Sequence, residues 1–241
     1  QLYDIKKRYA LKLLKFYTKK QKSIFEREKT VLDIFIEDPE VIKYHEIIPV
    51  IMYNRRHILV SMLFYPDVDL LYYLWRPSFK FDENFICLIA YKALKILNVL
   101  KMRGVVHNDI KFENFIVSSE NPFDIIITDF ESAELVNYNG KSRLIAGTSI
   151  FKSPEVLRGE EHDYAADMWS LGMNLYYHLF FKYPFGIDDN DLNSKSENII
   201  LKKINDSKLI RPDNVDFICV SDSAWSLVSA MLEKESEDRI E

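Results

Sequence analysis

The stretch His107-Asn108-Asp109-Ile110-Lys111-Phe112-Glu113-Asn114 decides how this chain is read. On what should be one short loop it sets a carboxylate, an ammonium and a carboxamide, Lys111 two and Asn114 five residues beyond Asp109. Fifteen residues after Asn114 comes Asp129-Phe130, closing the apolar run Ile125-Ile126-Ile127-Thr128. Such groups suit chemistry that holds and orients charge. A carboxylate can take a proton, an ammonium can neutralise an anion, and carboxylate or amide oxygens ligate a hard cation.

Before this loop the pattern is that of a small sheet with one helix. Tyr9 to Leu14 reads as a short strand with Lys12 embedded among apolar neighbours. The charged stretch Lys19 to Arg27 leads into a helix on which Phe25, Glu28, Leu32 and Phe35 share one face, and Asp38-Pro39 breaks it. Ile47 to Tyr53 and Ile58 to Phe64 form an antiparallel pair joined by a polar turn at Asn54-Arg55-Arg56. After Pro66 helices take over. Ile86, Ile89, Ala90, Ala93, Leu97 and Leu100 mark the buried stripe of a long helix ending near Met102, with Gly104 just past its end. Two short strands, Phe115 to Val117 and Ile125 to Thr128, flank a turn around Asn121-Pro122. Ala165 to Phe181 is apolar on all sides, so it should be a central buried helix. The order of elements predicts an α+β protein, a β-rich part before a larger helical one.

Composition sets the outer bounds. With 241 residues, 48% of them hydrophobic and 14% aromatic, the chain can build a sizeable core and is not a disordered segment. A net charge of -5 excludes the basic surface expected of a nucleic-acid binder. No apolar run reaches the ~20 residues a membrane span needs. Cys87 and Cys219 are isolated and the five histidines lack ligand spacing, so neither a disulfide framework nor a His/Cys metal site is expected. Asn205-Asp206-Ser207 matches the glycosylation sequon, a pattern common by chance. The default expectation is a cytoplasmic protein, or a secreted one if a leader precedes Gln1.

These residues resemble the motifs of eukaryotic protein kinases of the serine/threonine class. His107 to Asn114 is similar to the catalytic loop H-R-D-x-K-x-x-N, and Asp129-Phe130 to the start of D-F-G. Ala10-Leu11-Lys12 resembles the strand V-A-I-K, Ser153-Pro154-Glu155 the A-P-E that ends an activation segment, and Asp167 to Gly172 the opening of the family's central helix. The resemblance runs from Tyr9 to Arg239. It implies a bilobal kinase-like fold, with residues 1–65 as the small lobe and 66–241 as the large one. It further implies ATP and Mg²⁺ as cofactors and a protein as substrate.

Roles follow from the same resemblance. Asp109 would orient the acceptor hydroxyl and take its proton, and Lys111 would neutralise the transferring phosphoryl group. Asn114 and Asp129 would bind Mg²⁺. Lys12 would contact the nucleotide phosphates, paired with Glu28, Glu26 being the rival. Met62 would be the gatekeeper before a hinge at Leu63-Phe64-Tyr65, Ala10 and Ile116 would sandwich the adenine, and Asp69 would meet the ribose or the substrate. Asp69 and Glu113 would select a basic residue near the target hydroxyl. Asp167 would hold the catalytic loop from below, and Glu155 would pair with Arg239. Lys111 with Thr148 is the serine/threonine arrangement.

Three departures accompany the resemblance. No G-x-G-x-x-G precedes Lys12, which leaves two readings: the glycine loop lies outside the given sequence, or the chain resembles a divergent parasite lineage lacking it. Asp129-Phe130-Glu131 replaces D-F-G, so Glu131 either raises metal affinity or misplaces Asp129. Asn108 replaces the arginine that usually meets an activation-segment phosphate, so phosphorylation at Tyr138, Ser142 or Ser149 should matter less. A pseudokinase that binds nucleotide or partners is the alternative function. A small-molecule kinase is disfavoured by the peptide-positioning segment Gly147 to Glu155.

Overall fold

The computed structural model describes residues 8–15, 18–65, 69–75, 82–117, 124–194, 196–213 and 219–240. The expected turn at Asn121-Pro122 and the boundary at Pro66 lie outside the described residues.

Strand β1 (Tyr9–Lys15) is followed by helix α1 (Lys19–Ile34), which starts earlier than the charged stretch suggested. The cause is a capping box. Thr18 accepts from the Gln21 N–H, and the Gln21 side chain accepts from the Thr18 N–H, so orphan donors at both positions are satisfied. The inward face of α1 carries Phe25, Glu28, Val31 and Leu32, all buried. Strands β2 (Tyr44–Met52) and β3 (Arg55–Leu63) form a hairpin. Its turn is shorter than expected, because Tyr53 and Asn54 both take left-handed backbone (φ 52° and 57°) and Arg55 already pairs with Met52. Two consecutive left-handed residues match the twist of a two-residue hairpin. The sheet order is β1-β3-β2, with Ala10 opposite Met62 and Lys12 opposite Val60.

Beyond the sheet come α2 (Leu70–Leu74), the long α3 (Glu83–Met102) and the two-residue β4 (Val105–Val106). Gly104, at φ 72°, turns the chain between α3 and β4 as a glycine stop should. Strands β5 (Phe115–Val117) and β6 (Ile125–Ile127) pair antiparallel, and β7 (Glu134–Leu135) pairs with β4. Then follow α4 (Pro154–Leu157), α5 (Tyr164–Phe180), α6 (Asp189–Asn193), α7 (Glu197–Asp206) and α8 (Asp222–Met231).

Helix α5 is the central pillar. It packs against α3 and α8, and its Trp169, Leu171, Met173 and Phe180 are fully buried. Gly172 is required there, since a Cβ would come within 2.8 Å of Met231 Cβ. The sheet region is joined to the helical part at β6: the Ile42 N–H donates to Ile127 C=O, and the Ile127 N–H donates to Glu40 C=O. These bonds fix β6, and hence Asp129 two residues on, against the segment that follows α1.

Candidate active site

The loop after β4 is held from beneath by α5. Both carboxylate oxygens of Asp167 accept backbone N–H bonds, from His107 (2.7 Å) and Asn108 (2.9 Å). Burial raises the Asp167 carboxyl to about 7 even though the two N–H donors pull the other way. Two turns further along, the Asn174 amide accepts from the Phe112 N–H (3.1 Å) and donates to Ile110 C=O (3.2 Å). Sequence reasoning missed Asn174. The available signal was an amide seven residues from Asp167 inside a helix apolar on all sides, since buried polar groups need partners. Asn108 itself sits at φ 64°, a left-handed conformation that asparagine tolerates better than most residues.

On this loop the Asp109 carboxylate gathers Lys111, Asn114 and Thr148 around it. Its Oδ2 lies 2.8 Å from Lys111 Nζ and 3.2 Å from Asn114 Nδ2. Its Oδ1 accepts from both the N–H and the hydroxyl of Thr148, each at 2.8 Å. Burial favours its neutral form, but the hydrogen bonds from Lys111 and Thr148 outweigh that and hold its pKa below the usual carboxylate value. Lys111 Nζ also donates to Thr148 Oγ1 (2.9 Å), so the loop and the segment ending at Glu155 share one polar cluster. His107, fully buried, is kept neutral chiefly by desolvation, with Thr128 C=O 3.2 Å from its Nε2 and the Asp109 N–H pointing at its Nδ1.

A second cluster faces it. Lys12 Nζ lies 3.3 Å from Glu28 on α1 and 2.6 Å from Glu131. Glu26 is instead exposed and paired with Lys22 at 3.4 Å, so the helix turns Glu28 toward the strand. Desolvation lowers the Lys12 pKa, but the Glu28, Glu131 and Asp129 charges outweigh it and raise the value overall. Glu28 is shifted upward by burial, against the pull of Lys12 and with the repulsion of Glu131 and Asp129. The left-handed residue of this loop is Asp129 (φ 61°), not Glu131, which sits in the tight turn Phe130–Ser132. Glutamate therefore fills the glycine position without backbone strain. Phe130 is fully buried between His107 (centroids 4.9 Å apart) and Phe35 (5.8 Å), which aims Asp129 outward.

The donor set suits a hard divalent cation. One carboxylate oxygen from each of Glu28, Asp129 and Glu131 lies within 4.8 Å of the others, and the Asp129 side chain makes no capping bond. Asn114 spends its Nδ2 on Asp109, leaving its amide oxygen as the ligand atom. Thr128, which precedes Asp129, donates its N–H (2.8 Å) and hydroxyl (3.1 Å) to Asn114 C=O, tying the two candidate ligands together.

The remaining candidates are placed as follows. Met62, Leu63 and Tyr65 are part-buried at the end of β3, and Ala10 faces Met62 across the ladder. Asp69 uses Oδ1 to cap α2 through the Tyr72 N–H (2.8 Å), and its backbone bridges to Ile116 on β5. That capping role is more than the ribose or substrate contact expected of it. Glu113 is exposed, and it acts with Asp189 and burial on the Tyr183 phenol, whose pKa is pushed up to about 12, desolvation being the main cause. Gly147, at φ 87°, packs so tightly that a Cβ would lie 2.0 Å from Asn108 C=O. Asn108 accepts from His162 Nε2 (2.7 Å) and donates to Ser132 C=O (3.1 Å).

A family model for the protein kinase domain matches residues 3–241. This chain is a protein kinase domain. Among its relatives, the serine/threonine-protein kinase AtPK1/AtPK6 of Arabidopsis thaliana is 31% identical over 160 residues, which are 66% of this chain and 31% of that protein. An Aurora kinase of Eremothecium gossypii is 31% identical over 66% of this chain and 40% of its own length. The serine/threonine-protein kinase 17A of Oryctolagus cuniculus is 29% identical over 98% of this chain and 57% of its own. This kinase domain thus spans only about a third of the first relatives it matches. Among the described residues, no helix is long and apolar enough to cross a membrane.

Proposed function

We propose that this kinase domain transfers the γ-phosphoryl group of ATP to serine or threonine hydroxyls of protein substrates. The observation that carries the reading is the Asp109 cluster: a carboxylate kept ionised, an ammonium at 2.8 Å and a threonine from the substrate-facing segment bonded to both. Asp109 orients the acceptor hydroxyl and takes its proton as the oxygen attacks. Lys111 lies against the phosphoryl group as its charge redistributes. Lys12, steadied by Glu28, holds the non-transferred phosphates. Phosphoryl transfer asks for little else, because positioning and electrostatics supply most of the rate.

Asn114 and Asp129 hold Mg²⁺, which neutralises phosphate charge when bound. Met62, Leu63 and Tyr65 line the adenine end with Ala10 and Ile116. Exposed Glu113, with Asp189 acting on the same Tyr183 phenol, favours substrates with basic residues near the target hydroxyl.

A second reading, a pseudokinase that binds nucleotide without turnover, is favoured by one observation: Glu131 already occupies Lys12. Radiolabelled phosphate transfer from ATP to a generic basic protein separates the two. D109N should lower transfer about 10²–10⁴-fold with nucleotide binding kept, the usual worth of a positioned base. Full transfer by D109N overturns the assignment, and absence of transfer by the wild type favours the pseudokinase.

A further inference from the structure

Glu131 makes a contact with Lys12 beyond the one that Glu28 supplies. Its carboxylate lies 2.6 Å from Lys12 Nζ, closer than the 3.3 Å of Glu28, so one ammonium serves two carboxylates with a third, Asp129, nearby. An ammonium has three N–H donors, and a phosphate oxygen arriving at Lys12 brings more negative charge to a place already net negative. One N–H remains free for it, but charge repulsion favours the departure of one carboxylate. The geometry says which. Glu28 is buried on the packed face of α1, whereas the Glu131 side chain is 48% exposed and can swing into water at little desolvation cost. Its backbone need not follow, because Arg27 Nη2 holds Glu131 C=O at 2.7 Å and Phe130 is locked in the core.

We propose that the Glu131 carboxylate, held on Lys12, competes with nucleotide phosphate for that ammonium and is displaced by it. This rests on the assignment of Lys12 to the phosphates. The consequence is a selective weakening: ligands that place a phosphate on Lys12 compete with the internal carboxylate, and ligands that fill only the adenine end do not. The device belongs to Glu131, since glycine at that position has no charge to offer.

The test is calorimetric binding of ADP and of adenosine, without divalent cation, to wild type, E131Q and E131G. Both variants should bind ADP about two- to fivefold more tightly, the range of a partly exposed ion pair. Their affinity for adenosine should stay at the wild-type value. In a K12M background, E131Q should no longer change ADP affinity. An equal gain for adenosine and ADP overturns the proposal, because it would mean the cleft merely opened. So does unchanged or weaker ADP binding by E131Q when the wild type binds. If no variant binds ADP, the assignment of Lys12 to phosphates falls and the proposal with it.

Discussion

Glu155 and Arg239, 84 residues apart in sequence, meet in a two-pronged buried ion pair at 2.5 and 2.7 Å. The guanidinium also donates to Glu233, Lys234 and Ala165 C=O and lies over the Trp169 ring at 5.0 Å. Five N–H donors thus find partners, which is what makes a buried arginine tolerable. Burial raises the Glu155 carboxyl, but Arg239 outweighs it and holds the carboxylate ionised. Removing either partner strands the other. R239A and E155A should each destabilise the domain by about 3–5 kcal/mol in chemical denaturation. The double variant should lose less than the sum, since the uncompensated charge is removed. Additive losses would show that the pair is not coupled.

Acid should weaken the fold in a window set by His178. This side chain is buried, stacked on Phe112 with centroids 4.5 Å apart, and desolvation lowers its pKa to about 4, its bond to Asn174 C=O opposing. The unfolded chain binds a proton near pH 6.5 and the folded chain near 4, so stability is full above 6.5 and falls as pH drops toward 4. Asp167 has the opposite sign, raised from 3.8 to about 7, so its contribution is lost as pH rises through that range. The two contributions oppose each other, and wild-type denaturation alone would mislead. The difference in stability between wild type and H178Q should shrink by ~3 kcal/mol between pH 7 and 4. A pH-independent difference would refute the neutral burial of His178.

How far the sequence could carry this reading depends on the residue. The proximity of Asp109, Lys111 and Asn114 was legible because their motif resembles a known catalytic loop and short spacings keep them together. Glu28 over Glu26 was legible because the apolar face of α1 dictates which glutamate turns inward. The start of α1 and the hairpin turn were misjudged by a few residues, since the cap at Thr18 and the left-handed pair Tyr53-Asn54 are local choices that apolar periodicity does not register. The Lys12–Glu131 pair and the Asn174 brace were illegible for a different reason. Each depends on where a side chain points after elements remote in sequence have packed.

The Asn108 position yields a prediction about regulation. Where a family arginine would await a phosphate, Asn108 accepts from His162, and the His162 and Ser142 backbones bond to each other in both directions (2.7 and 3.0 Å). Ser142 is buried, and its hydroxyl donates to Glu134 (2.6 Å), while Ser149 donates to Glu197 (2.9 Å). A hydrogen-bond network without an arginine therefore does the ordering that a phosphate–arginine pair would do. Phosphatase treatment, or a Y138E or S149A change, should alter transfer by less than about threefold, the loss of a single partly exposed hydrogen bond. H162A should cut it more than about tenfold by freeing the segment. Strong activation by phosphorylation would refute this.

The sharpest steric constraint in the site is at Gly147. Its φ of 87° is closed to most side chains, and a Cβ there would stand 2.0 Å from Asn108 C=O, which is backbone and cannot rotate away. Yet the next residue, Thr148, supplies the two bonds that orient Asp109 Oδ1. G147A must therefore push Thr148 away from the carboxylate it positions. A displacement of about 1 Å at such a place costs roughly a hundredfold in rate. We expect kcat to fall by that order and nucleotide affinity to hold within about twofold, because Lys12, Met62 and Asp129 lie on other elements. Left-handed strain should lower stability by a further ~1–2 kcal/mol. Wild-type kcat in G147A would show that the Thr148–Asp109 bonds do not set the geometry of transfer.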